Sequence, residues 1–187
     1  MERGRGEAGE KTEYWLINSI LNLIRRSLLR GGLITLMEKQ KRIRCKALAW
    51  IEDKGFLFVA KYHDVVKGDD YYRSIGGAVE FGERSLDAVI REVQEELQTE
   101  IAIIAPPFVV ENLFTCDGEP GHEINFLYPA RFVDTRYYER KPYRVVETNG
   151  KETEALWVPI SACVNGELRL VPEELCTWYA TENKGHA

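Results

Sequence analysis

The sequence predicts an α/β fold, a mixed β-sheet covered by helices, on three observations. Segments rich in β-branched and aromatic residues begin at Ile43, one strongly amphipathic helix falls among them, and a second helical segment follows the last of them. A length of 187 residues bounds the chain at about one domain with room for one extra element. We divide it into residues 1–40, a tail and an amphipathic helix, and residues 41–187, the main domain.

The elements follow in order. Residues 1–12, rich in Gly, Glu and Arg, carry too little apolar surface to fold. In "YWLINSILNLIRRSLL", Ile17, Ile20, Leu21, Ile24 and Leu28 recur at helical spacing, with Asn18, Asn22, Arg25 and Arg26 on the polar side. Such a helix packs on its own domain, on a second subunit as a homodimer, or on a membrane surface or partner through residues 13–37. "IRCKALAWI" and "GFLFVAK" read as two strands joined by a turn at Glu52, Asp53 and Lys54. "KGDDYYR" reads as a loop. Ser85 is placed to cap a helix reaching Leu97, with Leu86, Val89, Ile90, Val93 and Leu97 as its buried stripe. Pro106 and Pro107 break the chain before the strand "FVVENLFT", and "DGEPG" turns it into the strand "HEINFLYPARF". Residues 134–154 read as irregular, "ALWVPI" as a strand, and "VPEELCTWYA" as a helix with Pro172 in its first turn.

Composition excludes some classes. A net charge of −5 argues against stable nucleic-acid binding, which rests on phosphate neutralisation. Cys45, Cys116, Cys163 and Cys176 stand far apart without a CxxC pair, which predicts reduced thiols rather than a zinc site. With no apolar stretch ahead of a cleavage site in "MERGRGEAGEKTEY", a cytoplasmic location is expected.

The chemistry gathers in "GGAVEFGERSLDAVIREVQEELQTEI". Glu92, Glu95 and Glu96 stand at i, i+3 and i+4 and share one helix face beside the apolar stripe. Like charges so placed repel, and a divalent cation reverses the sign of that interaction. Mg²⁺ favours a few carboxylates combined with water and phosphate oxygens. Gly76, Gly77 and Gly82 allow close backbone approach ahead of the helix, and an Arg91–Glu83 pair would pin that loop to it.

This stretch resembles the Nudix box: Gly, five residues, Glu, seven residues, then Arg-Glu-apolar-x-Glu-Glu-x-Gly-apolar. Gly77, Glu83, Arg91, Glu92, Val93, Glu95 and Glu96 fall in register with it. Six non-apolar matches at roughly one chance in fifteen each give a coincidence of about 10⁻⁷, so a merely charged surface helix is set aside. Gln98 and Thr99 depart from the closing Gly-apolar pair, which puts the shape of the helix exit in question. Ile75 stands where many members have proline.

The resemblance implies a Nudix-type α/β/α sandwich over about residues 41–180. It also implies Mg²⁺-dependent hydrolysis, with Mn²⁺ as the alternative ion, of a nucleoside diphosphate linked to a moiety X. Gly77, Glu92, Glu95 and Glu96 would be the metal site, with Glu92, Glu95 and Glu96 catalytic, and Glu83 and Arg91 architectural. Family members often recruit an acid from outside the box. Glu123 is the leading candidate, Glu152 and Glu154 follow, and each also fits an ordinary surface residue, as His122 does. Tyr71, Tyr72 and Arg73 fit either substrate binding, by stacking on a base and holding a phosphate, or strand packing. "RYYERKPYR", Arg136 to Arg144, fits a lid over a phosphorylated ligand or a solvated loop. A nucleotide-sensing module that acts through a partner is the alternative to an enzyme.

Overall fold

The computed structural model describes residues 41–147 and 150–182. The amphipathic segment at residues 13–37 lies outside them. The described chain begins with β1 (Arg44–Asp53) and β2 (Phe56–Asp64), a hairpin whose register pairs Asp53 with Phe56. Its turn is therefore Lys54–Gly55, both at positive φ, rather than Glu52–Lys54. Two left-handed residues match the twist of the flanking strands, and Gly55 adopts that conformation without steric cost.

"KGDDYYR" is not a loop. Its last five residues form β3 (Asp69–Arg73), because Tyr71 pairs with Tyr62 and Arg73 with Ala60 across an antiparallel ladder. Its two aspartates are compensated by side chains: Asp70 by Lys61, and Asp69 by Arg169. β4 (Gly76–Ala78) pairs with β1, then α1 (Ser85–Leu97) follows at its expected span. After it come β5 (Ile101–Ile103), absent from the sequence reading, and the long hairpin of β6 (Phe108–Cys116) and β7 (Glu119–Phe132). That hairpin turns at Asp117–Gly118 alone, again with both residues at positive φ, so Glu119, Pro120 and Gly121 already belong to the strand.

The stretch read as irregular holds a 3-10 turn (Thr135–Tyr138) and β8 (Tyr143–Val146) before β9 (Glu152–Pro159). The last elements are α2 (Ile160–Val164), β10 (Leu170–Val171) and α3 (Glu174–Glu182). Pro172 precedes α3 rather than sitting in its first turn.

The architecture is an α/β/α sandwich around a mixed sheet. β1 runs parallel to β7 and β10 parallel to β3, and the other pairings are antiparallel. Side chains alternate along β1: Ala47, Ala49 and Ile51 face the α1 layer, with Val89 and Val93, while Leu48 and Trp50 face the layer with Leu175 of α3. β1 and β2 pair only where their hairpin turns, at Glu52–Asp53 with Phe56–Leu57. Beyond that point β1 continues with β4 and β7, and β2 with β3 and β9. Among the described residues, no helix is long and apolar enough to cross a membrane.

Candidate active site

The buried face of α1 differs from the expected stripe. Leu86 and Ile90 are exposed, and Ala88, Val89, Glu92, Val93, Glu96 and Leu97 are buried. The helix is rotated so that two carboxylates turn inward, toward the small residues of β1 and the glycines of β4. Ser85 is the first helical residue rather than the cap, and its hydroxyl bonds the Tyr128 hydroxyl at 2.8 Å. At the other end Gln98 adopts the left-handed cap (φ 56°), and its side-chain amide donates to the carbonyls of Gln94 and Glu95 at 3.0 and 3.1 Å. Those bonds offset part of the cost of a non-glycine residue in this conformation.

Arg91 ties the loop to the helix as its spacing predicted. Its Nε and Nη2 grip the two Glu83 oxygens at 2.8 and 3.0 Å, and Nη2 also donates to the Ala78 carbonyl at 3.1 Å. Its Nη1 reaches Glu92 at 3.0 Å and Glu95 at 3.2 Å. This guanidinium, with the Glu80 amide, holds the Glu83 carboxyl down to about 2. Glu95 itself is half-exposed.

The glycines are required by close approach. A Cβ on Gly77 would stand 2.2–2.4 Å from the Glu92 carboxylate, and one on Gly76 (φ +135°) would stand 2.2 Å from the Ala47 carbonyl oxygen. Glu92 therefore lies against the bare backbone of Gly77.

Glu96 is the deepest of the three. Burial and then the neighbouring Glu147 charge, with Glu92 adding, push its carboxyl up to about 8 against the pull of Arg73 and the Gly76 amide. Its Oε2 is buried with no hydrogen-bond partner among the described residues. Glu147, on the connection from β8 to β9, accepts a hydrogen bond from the Tyr62 hydroxyl. Arg73 Nη2 donates to Tyr62 Oη at 3.2 Å and toward the Gly76 carbonyl at 3.4 Å. Its Nε also lacks a partner among the described residues. Buried Glu123 pairs with Arg44 at 2.9 Å and contributes, with Glu92, to the field at Lys46. Burial and then Arg73 lower the affinity of Lys46 for its proton.

Several candidates fall elsewhere. Tyr72 is a core residue, buried with Leu48 and Val59. Tyr71 is already stacked on Tyr62 at 5.3 Å with Arg169 over its ring, so the packing reading fits both tyrosines, and Arg73 alone of the three lies among the acids. Glu152 pairs with Arg144 on the surface, Glu154 is exposed, and His122 pairs with Glu111 at 2.9 Å. Arg136–Arg144 packs against its own domain through several side chains. Tyr137 stacks on Phe132 and Tyr143 and donates to the Leu97 carbonyl at 2.6 Å, while Arg140 lies 4.3 Å over Trp157 and pairs with Asp53.

Sequence reasoning missed Glu147, Tyr62, Arg44 and Lys46. The last two carried a signal, since two cations at every second position continue the row of Leu48 and Trp50 at the start of an otherwise apolar run. Glu147 carried none. A separate trio, Asp64, Cys116 and Asp117, brings three ligand-type atoms within 4.8 Å of one another. Asp64 Oδ1 caps the amides of Val66 and Lys67 and Asp117 accepts from Val65, while Asp64 Oδ2 is buried without a hydrogen-bond partner among the described residues.

A sandwich in which a glycine-cradled helix turns carboxylates inward toward a cleft of mixed charge defines a class. A family model described as the NUDIX domain matches residues 43–179. The chain belongs to the Nudix family of hydrolases. Among solved structures it is similar to the E. coli ORF135 protein, at 18% identity and a TM-score of 0.53 over 79% of this chain and 96% of that one. It is also similar to a Nudix hydrolase from Nitrosomonas europaea, at 17% identity and a TM-score of 0.50 over 76% and 91% of the two chains. These likenesses agree with the fold. No curated protein matches the sequence.

Proposed function

We propose that the protein hydrolyses the diphosphate bond of a nucleoside diphosphate linked to a second moiety, with Mg²⁺ as cofactor and Mn²⁺ as an effective substitute. One observation carries this reading: the buried Glu96 carboxylate has an unpartnered oxygen and the like charges of Glu147 and Glu92 beside it. Without a cation that arrangement is unfavourable. Hard oxygen donors in this number fit a divalent ion.

Glu92 and Glu96 would hold the ion, with the Gly77 carbonyl and Glu147 completing the donor set. When bound, the ion supplies neutralisation of diphosphate charge and a more acidic water. The chain's own residues supply the rest. Half-exposed Glu95 takes the proton of the attacking water or holds a second ion, and Arg91 restrains its carboxylate. The unpartnered Arg73 Nε donates to a phosphate oxygen. Glu147 replaces Glu152 and Glu154 as the acid from outside the box, and Glu123, bound to Arg44, shapes the charge of the cleft. The four cysteines are free, which supports a cytoplasmic setting.

The test is incubation with Mg²⁺ and a panel of ADP-ribose, nucleotide sugars, diadenosine polyphosphates and oxidised and normal dNTPs. A Glu95→Gln, Glu96→Gln double variant runs beside it. Metal-dependent cleavage lost in the variant is expected, and the best substrate gives the subclass. Binding of one compound by folded protein without cleavage would transfer the reading to a nucleotide-sensing module.

A further inference from the structure

We infer that Tyr62 and Arg73 form a positioning relay that fixes Glu147 opposite Glu96. The inference rests on the reading of these two carboxylates as part of one metal site. The hydrogen bonds form an unbroken run across three strands. The Tyr62 hydroxyl donates to Glu147 Oε1 and accepts from Arg73 Nη2 at 3.2 Å. The same Nη2 approaches the Gly76 carbonyl at 3.4 Å, and the Gly76 backbone and the Arg73 charge both act on the Glu96 carboxyl. The run thus begins on the β8–β9 connection and ends on β4, beside α1.

Each link is held from the side. Tyr62 stands opposite Tyr71 in the β2–β3 register, with their rings stacked at 5.3 Å and 19°. The Arg73 guanidinium lies 5.0 Å over the Tyr62 ring, so one cation serves both the ring and the hydroxyl. A tyrosine packed this way presents its hydroxyl in one place. Glu147 has the opposite character: it is half-buried on a connection outside any strand or helix. Left to itself, a carboxylate there would turn toward water and away from the like charge of Glu96. The Tyr62 hydroxyl is what keeps it in the cleft. Tyr62 acts only through the carboxylate it orients, and Arg73 contributes to that orientation through Nη2, which leaves its Nε for the phosphate.

Mn²⁺ alone is the probe, titrated by electron paramagnetic resonance into the full chain and into four variants: Glu96→Gln, Glu147→Gln, Tyr62→Phe and the Tyr62→Phe, Glu147→Gln double. Phenylalanine keeps the stack on Tyr71 and the cation contact and deletes only the hydroxyl, and thermal melts confirm folding. Glu96→Gln, Glu147→Gln and Tyr62→Phe are each expected to weaken Mn²⁺ binding by about 10- to 100-fold. The double variant should be no worse than Glu147→Gln alone, because the hydroxyl acts only through that carboxylate. Tyr62→Phe binding like the parent, or a double variant weakened by the product of the single effects, would overturn the relay. An unchanged affinity in Glu147→Gln would overturn it too, by removing the residue it positions. Unchanged affinity in Glu96→Gln would instead sink the underlying metal reading.

Discussion

Two sides of α1 are built on opposite plans. At the C-terminal end, Tyr137 stacks on Phe132 and Tyr143, Trp157 stacks on Tyr138, Trp157 Nε1 donates to the Tyr137 carbonyl, and the Tyr137 hydroxyl caps the Leu97 carbonyl. On the other side, beside β3 and β4, Arg73 Nε, Ser74 Oγ and Glu96 Oε2 are buried without partners among the described residues. Buried polar atoms are ordinarily bonded, and each orphan costs about 1–3 kcal/mol. The satisfied corner therefore stabilises the fold, and the unsatisfied cleft is held by it in a state that a ligand would relieve. The proposed metal site is one of the places where the satisfaction of polar groups is incomplete.

The largest effect is expected where the cleft has least room. Gly77→Ala drives a methyl into the Glu92 carboxylate, which must swing away from the β4 backbone. Displacement of a ligating group by about 1 Å commonly costs two orders of magnitude, so kcat/KM should fall roughly 100- to 1,000-fold. Circular dichroism should show a folded protein. An alanine variant with parental kcat/KM would detach Glu92 from the chemistry.

Acidity separates the two carboxylates that one helix and its loop hold in opposite states. Glu96 titrates higher in the folded protein, about 8, than when unfolded, so the folded state binds the extra proton between pH 4.5 and 8. Its contribution is most favourable below pH 4.5 and falls as pH rises to 8, by about 2 kcal/mol or more. Glu83, held at about 2, does the reverse: its stabilisation is present above pH 4.5 and is lost as pH falls toward 2. Urea melts of metal-free protein across pH 3–8 should show the decline above pH 4.5, and Glu96→Gln should flatten it while leaving the acid limb below. Added Mg²⁺ should raise the midpoint more at pH 8 than at pH 5. A flat profile in the parent would mean that Glu96 is solvated.

This contrast explains what was legible in the sequence. The box was readable because its chemistry is local: Glu92, Glu95 and Glu96 meet through helix periodicity, and Glu83 reaches Arg91 across eight positions. Gly77 was readable as a residue type, although the carboxylate it accommodates was not. Glu147 was illegible, since it meets Tyr62 across 85 positions through pairing of β2, β9 and β8. For Arg136–Arg144 the sequence leaves a lid and a solvated loop open, and the packed corner the segment forms is neither, because interleaved aromatic and basic residues suit all three. Only Trp157 and Leu97, supplied by distant elements, decide between them. The stripe on α1 was drawn by hydrophobicity alone, and it failed where Gly76 and Arg91 offer carboxylates bonds that Leu86 and Ile90 cannot use.

The corner should respond in stability and not in chemistry. Tyr137→Phe keeps the stacks on Phe132 and Tyr143 and removes the 2.6 Å bond to the Leu97 carbonyl. A loss of about 1 kcal/mol is expected, with kcat/KM changed less than twofold. A large fall in kcat with stability intact would show that the corner is coupled to the cleft, and the division of α1 into two plans would fail.

The smallest effect tests the junction between the plans. Gln98 occupies the left-handed position at which the family pattern has glycine. Glycine would remove backbone strain worth up to about 1 kcal/mol, by the same reasoning that makes it the usual residue at this cap. It would also remove two side-chain bonds to the Gln94 and Glu95 carbonyls, which are exposed and so worth little each. The opposing contributions leave Gln98→Gly within about 0.5 kcal/mol of the parent in a urea melt. A gain near 1 kcal/mol would show the amide bonds to be idle. A loss of that size would show that Gln98 has taken over the cap by its side chain, so that the departure from the family pattern costs the helix exit nothing.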